Sequence, residues 1–576
     1  MKRLLSYLKE FRREALLAPA LKMLEAFFDL FVPLVTADII NKGIGGGSRS
    51  YILTHVGLLI LLGLLGFAIS ISAQYFAARA AVGTTSRLRR ALFDHIQSFG
   101  FGEIDKLGTG TLITRMTSDM TQVQNGINLF LRLFLRSPFI VFGAMIMAFT
   151  ISAKAALIFA AAIPILSLII FGLMRLTRPL YRRVQGRLDS LTASVREDLT
   201  GVRVVRAFRR EKAETERFQS ENERLLKAQI RVGRLSALMN PLTFAVVNTA
   251  LIVLIGTGAL EIHAGELAQG DLIALVNYLN QILIELVKLA NLIVQVARAL
   301  ASADRVDEIL SIEPGMTYGD REIDCGARGV CAVVFDHVSM TYPGAGGESL
   351  HDISFTAMPG ETIGVIGGTG SGKSTLVHLI PRFYDRTEGQ IRLFGSDVKE
   401  LNRESLDKAV AIALQKAQLF SGTIRSNLAM GNKEADDEAL WKALDAAQAS
   451  EFVKGREGGL DAPVEQGGRN FSGGQRQRLA VARALAADPR ILILDDSASA
   501  LDYATDAALR KAIRAMSGRM TLFVVSQRAN SVMQADRIIV LENGRMAGLG
   551  THEELMKECE VYRDIYESQF KKEAAK

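Results

Sequence analysis

Residues 367–375 read Gly367-Gly368-Thr369-Gly370-Ser371-Gly372-Lys373-Ser374-Thr375, a spacing that suits the holding of a polyphosphate. Glycines let successive backbone N–H groups close around phosphate oxygens, and a helix starting at Lys373 adds the positive end of its dipole. Lys373 then reaches the β- and γ-phosphates, and Ser374 sets a hydroxyl on Mg2+. A β-like apolar run at 362–366 precedes the loop and a helical run at 376–380 follows it, the order of elements a P-loop requires. A second apolar strand, 491–494, ends in Asp495 and Asp496. Asp495 is placed to hold Mg2+, directly or through water. Between these motifs lies Phe471-Ser472-Gly473-Gly474-Gln475, followed by Arg476, Gln477 and Arg478 on a helix.

The elements that carry these residues make up only part of a chain of two unlike halves. Of 576 residues, 49% are hydrophobic and 22% charged, too apolar for an ordinary soluble enzyme and too charged for a protein that is all membrane. Six stretches before residue 300 are long and apolar enough to cross a bilayer as helices: 16–40, 52–77, 129–151, 155–176, 241–262 and 272–296. No comparable run follows Arg305. Lys and Arg concentrate at the N-terminus and in the loops after the second and fourth stretches, whereas the loop near Gly265 has none, so both termini and the long loops are expected in the cytoplasm. The first thirteen residues read as a basic amphipathic helix on the inner surface, with no signal-peptide cleavage site. Stretches 79–125 and 175–239 keep helical apolar spacing, as at Leu188, Leu191, Val195 and Leu199, and are expected to continue the spans into the cytoplasm.

The same asymmetry explains the net charge of +7: it marks cytoplasmic loops, and no nucleic-acid partner is expected. Collagen-like repeats, disorder and a disulfide scaffold are excluded, because Gly and Pro show no period and only Cys325, Cys331 and Cys559 are present, without zinc spacing. Ionisable residues lie at membrane depth: Glu25 and Asp29 in the first span, Arg132 and Arg136 in the third, Glu285 and Lys288 in the sixth. Such groups face one another, a cavity or a pathway. Two readings stand side by side, hydrogen bonding between helices and a wet cavity lined by the first, third and sixth spans for an amphipathic or charged cargo.

Through Ser-Gly-Gly-Gln at 472–475, the soluble half resembles the nucleotide-binding domain of ATP-binding cassette transporters. The whole chain is similar to an ABC exporter half-transporter of the type IV, multidrug or lipid-flippase-like kind. The resemblance implies an α-helical six-span transmembrane domain with long cytoplasmic helices at 1–310, a linker at 311–329, and an α/β P-loop ABC nucleotide-binding domain with a helical subdomain at 330–576. It implies ATP and Mg2+ as cofactors and a multi-pass place in a bacterial cytoplasmic membrane. Tyr342 resembles the aromatic that stacks on adenine, and Gln415 the Q-loop residue that links Mg2+ to the membrane half. Glu465 resembles the loop that touches the intracellular helices, and Ser499-Ala500-Leu501-Asp502 the D-loop. In such a family two cassettes dimerise head to tail, so Ser472, Gly473, Gly474 and Gln475 would meet ATP held by the other chain's P-loop. Closure of the dimer drives the spans outward, with short coupling helices expected near 100–106 and 201–209.

Two positions depart from the family pattern. Asp496 stands where glutamate ordinarily polarises the attacking water, and its carboxylate is one methylene shorter, a misplacement that general-base geometry tolerates poorly. After the strand 521–525 the family has Ser-His-Arg, whereas this chain reads Ser526-Gln527-Arg528. The expectation is a heterodimer in which this chain holds ATP at a degenerate site and lends its signature to a competent site. The catalytic glutamate and histidine would come from a second half-transporter. A slowly hydrolysing homodimer, a peptide exporter and an ATP-gated channel or regulator are the alternatives. No protease domain is expected ahead of residue 16, so amphipathic drugs or lipids come before peptides as cargo, with membrane lipids as further partners.

Overall fold

The protein is described by a computed structural model covering residues 6–326, 329–497, 501–516 and 520–570. Contacts divide the chain into two units: Met1–Gln97 with Gly110–Ile312, and Ser98–Thr109 with Glu313–Lys576.

The first unit is helical. Its long helices are α1 (Arg12–Asp38), α2 (Arg49–Gln97), α3 (Met120–Leu133), α4 (Arg136–Ile151), α5 (Ala153–Thr200), α6 (Glu211–Ala237), α7 (Met239–His263) and α8 (Gln269–Ser311). Among the described residues, four helical segments are long and apolar enough to cross a membrane: Arg49–Gln97, Thr109–Ile151, Ala153–Thr200 and Glu211–His263. The six-span count therefore rests on α1 and α8 as well, whose apolar runs are broken by Lys22, Glu25 and Asp29 and by Glu285 and Lys288. Packing between helices uses small residues, with Ala26, Ala144, Ala148, Ala156 and Ala274 buried, which lets backbones approach closely. Leu53, Ile60, Leu64 and Phe67 on α2 stay exposed, as a lipid-facing surface requires. A short helix, Val202–Ala207, occupies the second segment expected to couple.

Six ionisable residues of the first unit pair with one another, whereas among the described residues the Nε of Arg132 is buried without a hydrogen-bond partner. Arg136 Nη1 donates to Glu285 Oε1 at 2.7 Å and Nη2 to Asp29 Oδ2 at 2.9 Å. Ser137 Oγ donates to Glu285 Oε2 at 2.7 Å, and Lys288 Nζ to Glu285 Oε1 at 2.8 Å. Lys22 pairs with Glu25 at 2.5 Å and donates to Ser70. Three cations thus balance three carboxylates, as groups removed from water require, and the cluster ties α1, α2, α4 and α8 together.

The second unit is α/β. An antiparallel layer joins β1 (Val333–Met340), β2 (Leu350–Ala357) and β4 (Glu388–Leu393), with β1 between the other two. The main sheet contains β3 (Thr362–Gly367), β5 (Val410–Ala413), β6 (Ile491–Asp495), β7 (Thr521–Val525), β8 (Arg537–Glu542) and β9 (Arg545–Gly550) in the order β9-β8-β3-β7-β6-β5. Every strand pair from β8 to β5 is parallel. Strands β3, β6 and β7 are buried at every position, which is why they read as unbroken apolar runs rather than alternating ones. A helical subdomain, including Asp437–Ala446 and Gly473–Ala486, packs on this core. The stretch after Ile312 lies along the unit, with Gly319 and Arg321 donating backbone bonds to Leu401 and Glu400.

Candidate ATP-binding site

Parallel register decides where the site forms. Val525 of β7 sits opposite Val365 of β3 and Asp495 of β6, so β6 and β7 end level and β3 runs two residues further into the loop. Ligands in such sheets bind outside the carboxyl ends of the strands. A cavity of about 550 Å³ opens there, lined by Thr369, Gly370, Ser371, Gly372, Lys373, Ser374 and Thr375 of the loop. Gln415, Asp495, Asp496 and Gln527 line it too, together with Glu348, Ser349, Asn543 and Gly544.

The loop is shaped by glycines that no other residue replaces. Gly372 has φ +98°, and a Cβ there would meet Leu350 Cδ2 at 2.8 Å and the Ser349 carbonyl at 2.9 Å. Gly367 would place a Cβ 2.2 Å from the Leu541 carbonyl. Lys373, at the start of the helix Lys373–His378, donates from Nζ to the carbonyls of Gly367 at 2.9 Å and Gly368 at 2.6 Å. Burial pushes its pKa down, opposed by the neighbouring charges of Asp496 and Asp495.

Ser374 Oγ donates to Asp495 Oδ1 at 3.0 Å. A hydroxyl and a carboxylate side by side fit Mg2+, which takes one or two carboxylates and completes its octahedron with substrate phosphates and water. Among the described residues no group of three or more His, Cys, Asp or Glu is placed to hold a metal ion. Bound Mg2+ would neutralise charge on the phosphates; Ser374, Asp495 and Gln415, which all line the cavity, would be the residues to hold it.

Asp496 begins the departure from the strand with φ +46°, a left-handed turn that aspartate tolerates better than most residues. Its amide bonds to the Val525 carbonyl at 3.0 Å, and its own carbonyl accepts from Gln477 Nε2 at 3.3 Å. Its carboxylate accepts from Gln415 Nε2 at 3.3 Å. Burial holds its pKa above the ordinary carboxylate value, ahead of the lowering by Gln415. Gln527 is exposed at the cavity wall, and its backbone carbonyl accepts from Gln569.

Other expected residues stand apart from the cavity. Tyr342 donates its hydroxyl to Thr375 Oγ1 at 3.1 Å and meets Tyr384 edge-on at 4.9 Å, beside the loop rather than in the cavity lining. Ser472 caps the helix Gly473–Ala486 in a reciprocal capping box with Gln475. Ser472 and Gly473 are exposed, and neither they nor Gly474 and Gln475 line the cavity. Asp502 caps the helix that follows through Thr505. Ser499 and Ala500 lie outside the described residues. Glu348, Ser349, Asn543 and Gly544 reach the cavity without any signal in the sequence.

Residues 16–286 match the family described as ABC transporter transmembrane region, and residues 350–499 match ABC transporter. An uncharacterized ABC transporter ATP-binding protein of Mycobacterium tuberculosis (strain CDC 1551 / Oshkosh) is 37% identical over 98% of this chain and 97% of its own length. The chain belongs to the ABC transporter family. Its transporter organisation, a helical transmembrane domain followed by one ATPase cassette, is that of a type IV exporter half-transporter and makes it a multi-pass membrane protein. The uncharacterized ABC transporter ATP-binding protein YfiB of Bacillus subtilis (strain 168) is 35% identical over the full length of both chains. The ATP-dependent lipid A-core flippase of Sodalis glossinidius (strain morsitans) is 31% identical over 99% of this chain and 97% of its own. A bacterial Atm1-family ABC exporter solved with ATP bound shares the fold, with TM-score 0.79 at 22% identity over 97% of this chain and 98% of that one.

Proposed function

We propose that this transporter is the degenerate-site subunit of a heterodimeric ABC exporter. The observation that carries the reading is that Asp496 and Gln527 line the same cavity as an intact P-loop. Both positions that act on the attacking water are altered, while the groups that hold phosphate and metal are in place. This chain then binds ATP with little turnover. Its Ser472, Gly473 and Gly474, at a helix N-terminus and the first two of them exposed, complete the partner's site by donating to the γ-phosphate. The partner supplies glutamate and histidine. ATP acts as a ligand with greater affinity for the closed dimer, and so biases the spans toward outward-facing.

Six spans, with both termini in the cytoplasm, follow from adding α1 and α8 to the four apolar segments and from the Lys and Arg of the long loops. Amphipathic drugs or lipids are the cargo class. Two features support it: a lipid flippase among the relatives, and the ionisable cluster of Asp29, Arg136, Glu285 and Lys288 at membrane depth. Side chains of Asp29 and Lys288, though each is paired within the cluster, are 42% and 45% exposed, so one group of each sign is within reach of a polar headgroup.

The deciding experiment compares the purified chain with the chain co-expressed with a second half-transporter. Alone it binds ATP with little hydrolysis, and the pair hydrolyses rapidly. A chain that alone matched an ordinary exporter's turnover would end the heterodimer reading.

A further inference from the structure

His378 sits at the C-terminal end of the helix that follows the phosphate loop, and no part of the reading above uses it. Its Nε2 is buried and lies 3.2 Å from Asp495 Oδ2, off the line of an aligned hydrogen bond. The other carboxylate oxygen, Oδ1, accepts from Ser374. The carboxylate that would hold Mg2+ is therefore flanked on one oxygen by the loop hydroxyl and approached on the other by an imidazole.

On its other side the His378 ring meets the Phe383 ring, centroid to centroid at 5.6 Å. Phe383 stacks on Phe101 at 4.4 Å, with the rings 26° from parallel. Phe101 opens the helix Phe101–Leu107, the element of residues 98–109 that belongs to this unit. Next to Phe383, Tyr384 donates to Asp105 Oδ2 at 2.6 Å in the same helix. Burial, then the bond to Asp105, raises the Tyr384 pKa and keeps its hydroxyl a donor.

We propose that His378 is a positioning residue that joins the metal-holding carboxylate to this aromatic stack, so that Mg2+–nucleotide occupancy is transmitted from Asp495 through His378 and Phe383 to residues 98–109. The proposal rests on reading the cavity as an ATP site, and it is separate from the Gln415 route. The physical basis is that partners of a metal-ligating carboxylate orient it and are oriented by it in turn. The Phe383 and Phe101 rings are in direct face-to-face contact, so a displacement of one is passed to the other at the contact itself.

The test measures hydrogen exchange at residues 98–109 in the full-length protein, with and without Mg2+ and a non-hydrolysable ATP analogue. Two variants separate the two faces of the imidazole. His378→Phe keeps a ring against Phe383 and removes the nitrogen facing Asp495. His378→Gln keeps an N–H donor and removes the ring. Wild type changes its exchange at 98–109 when Mg2+ joins the nucleotide. His378→Phe needs about ten-fold more Mg2+ to bind the analogue, whereas His378→Gln stays within about two-fold. At saturating Mg2+ and analogue, both lose the exchange response while metal-free analogue binding is unchanged. A wild-type response that persists in either saturated variant overturns the proposal, as does a wild type whose segment never responds. A wild type that binds no nucleotide removes the site reading itself, and the proposal falls with it.

Discussion

The side-chain amide of Gln415 donates to the carboxylate of Asp496 across 3.3 Å, tying the residue that resembles the Q-loop glutamine to the residue that stands where the family pattern has glutamate. That acid is engaged by its neighbour, and under the proposed degenerate site it is set back by one methylene from where an attacking water would be polarised. Restoring both altered groups with Asp496→Glu and Gln527→His should raise hydrolysis at this site by about 100-fold, the lower end of what a placed general base contributes. Single-turnover hydrolysis with the partner's own site inactivated is the measurement, and cargo transport should not depend on the change.

Lys373→Ala removes the buried ammonium that crosses the mouth of the phosphate loop. A charge-assisted hydrogen bond contributes about 1.5–3 kcal/mol, so ATP affinity should fall at least about ten-fold in equilibrium binding. Ser374→Ala, which leaves Asp495 without its hydroxyl partner, should instead weaken the Mg2+ dependence of binding more than binding of metal-free nucleotide.

Ser472→Ala breaks the capping box at the start of the signature helix and costs that helix about 1 kcal/mol. Because Ser472 lies outside this chain's own cavity, its ATP affinity should stay within about two-fold, far below a capping-scale loss. Turnover of the co-expressed pair should drop. Equal loss of both would place the signature in the wrong site.

Glu285 is 5% exposed at the side chain and faces Arg136, Ser137 and Lys288 at once. Glu285→Ala leaves Arg136 buried with less compensation and should destabilise the helical unit by about 3 kcal/mol, the scale for breaking a buried pair. Lys288→Met, at a half-exposed end of the cluster, should cost less than about 1 kcal/mol. Thermal unfolding of the solubilised protein compares the two, and similar losses would show that burial does not set the energetics here.

The sequence alone determined the chemistry that is local along the chain. Glycines at 367–372, the lysine and serine after them, and the apolar strands before each motif act through backbone geometry within a few residues, so their spacing is their function. It also determined that Asp496 and Gln527 depart from the pattern, since a missing side chain is visible without a fold. Tertiary structure decided everything that needed distant residues side by side. Parallel register brought the carboxyl ends of β3, β6 and β7 to one edge of the sheet, and so put Gln415, Asp496 and Gln527 around one cavity with the loop. Helix packing paired Arg136 with Asp29 and Glu285, turning isolated charges in apolar runs into a balanced cluster. His378 had no signal in sequence at all, because a histidine in an apolar helix gains its meaning only from the carboxylate and the ring that the fold sets on either side of it.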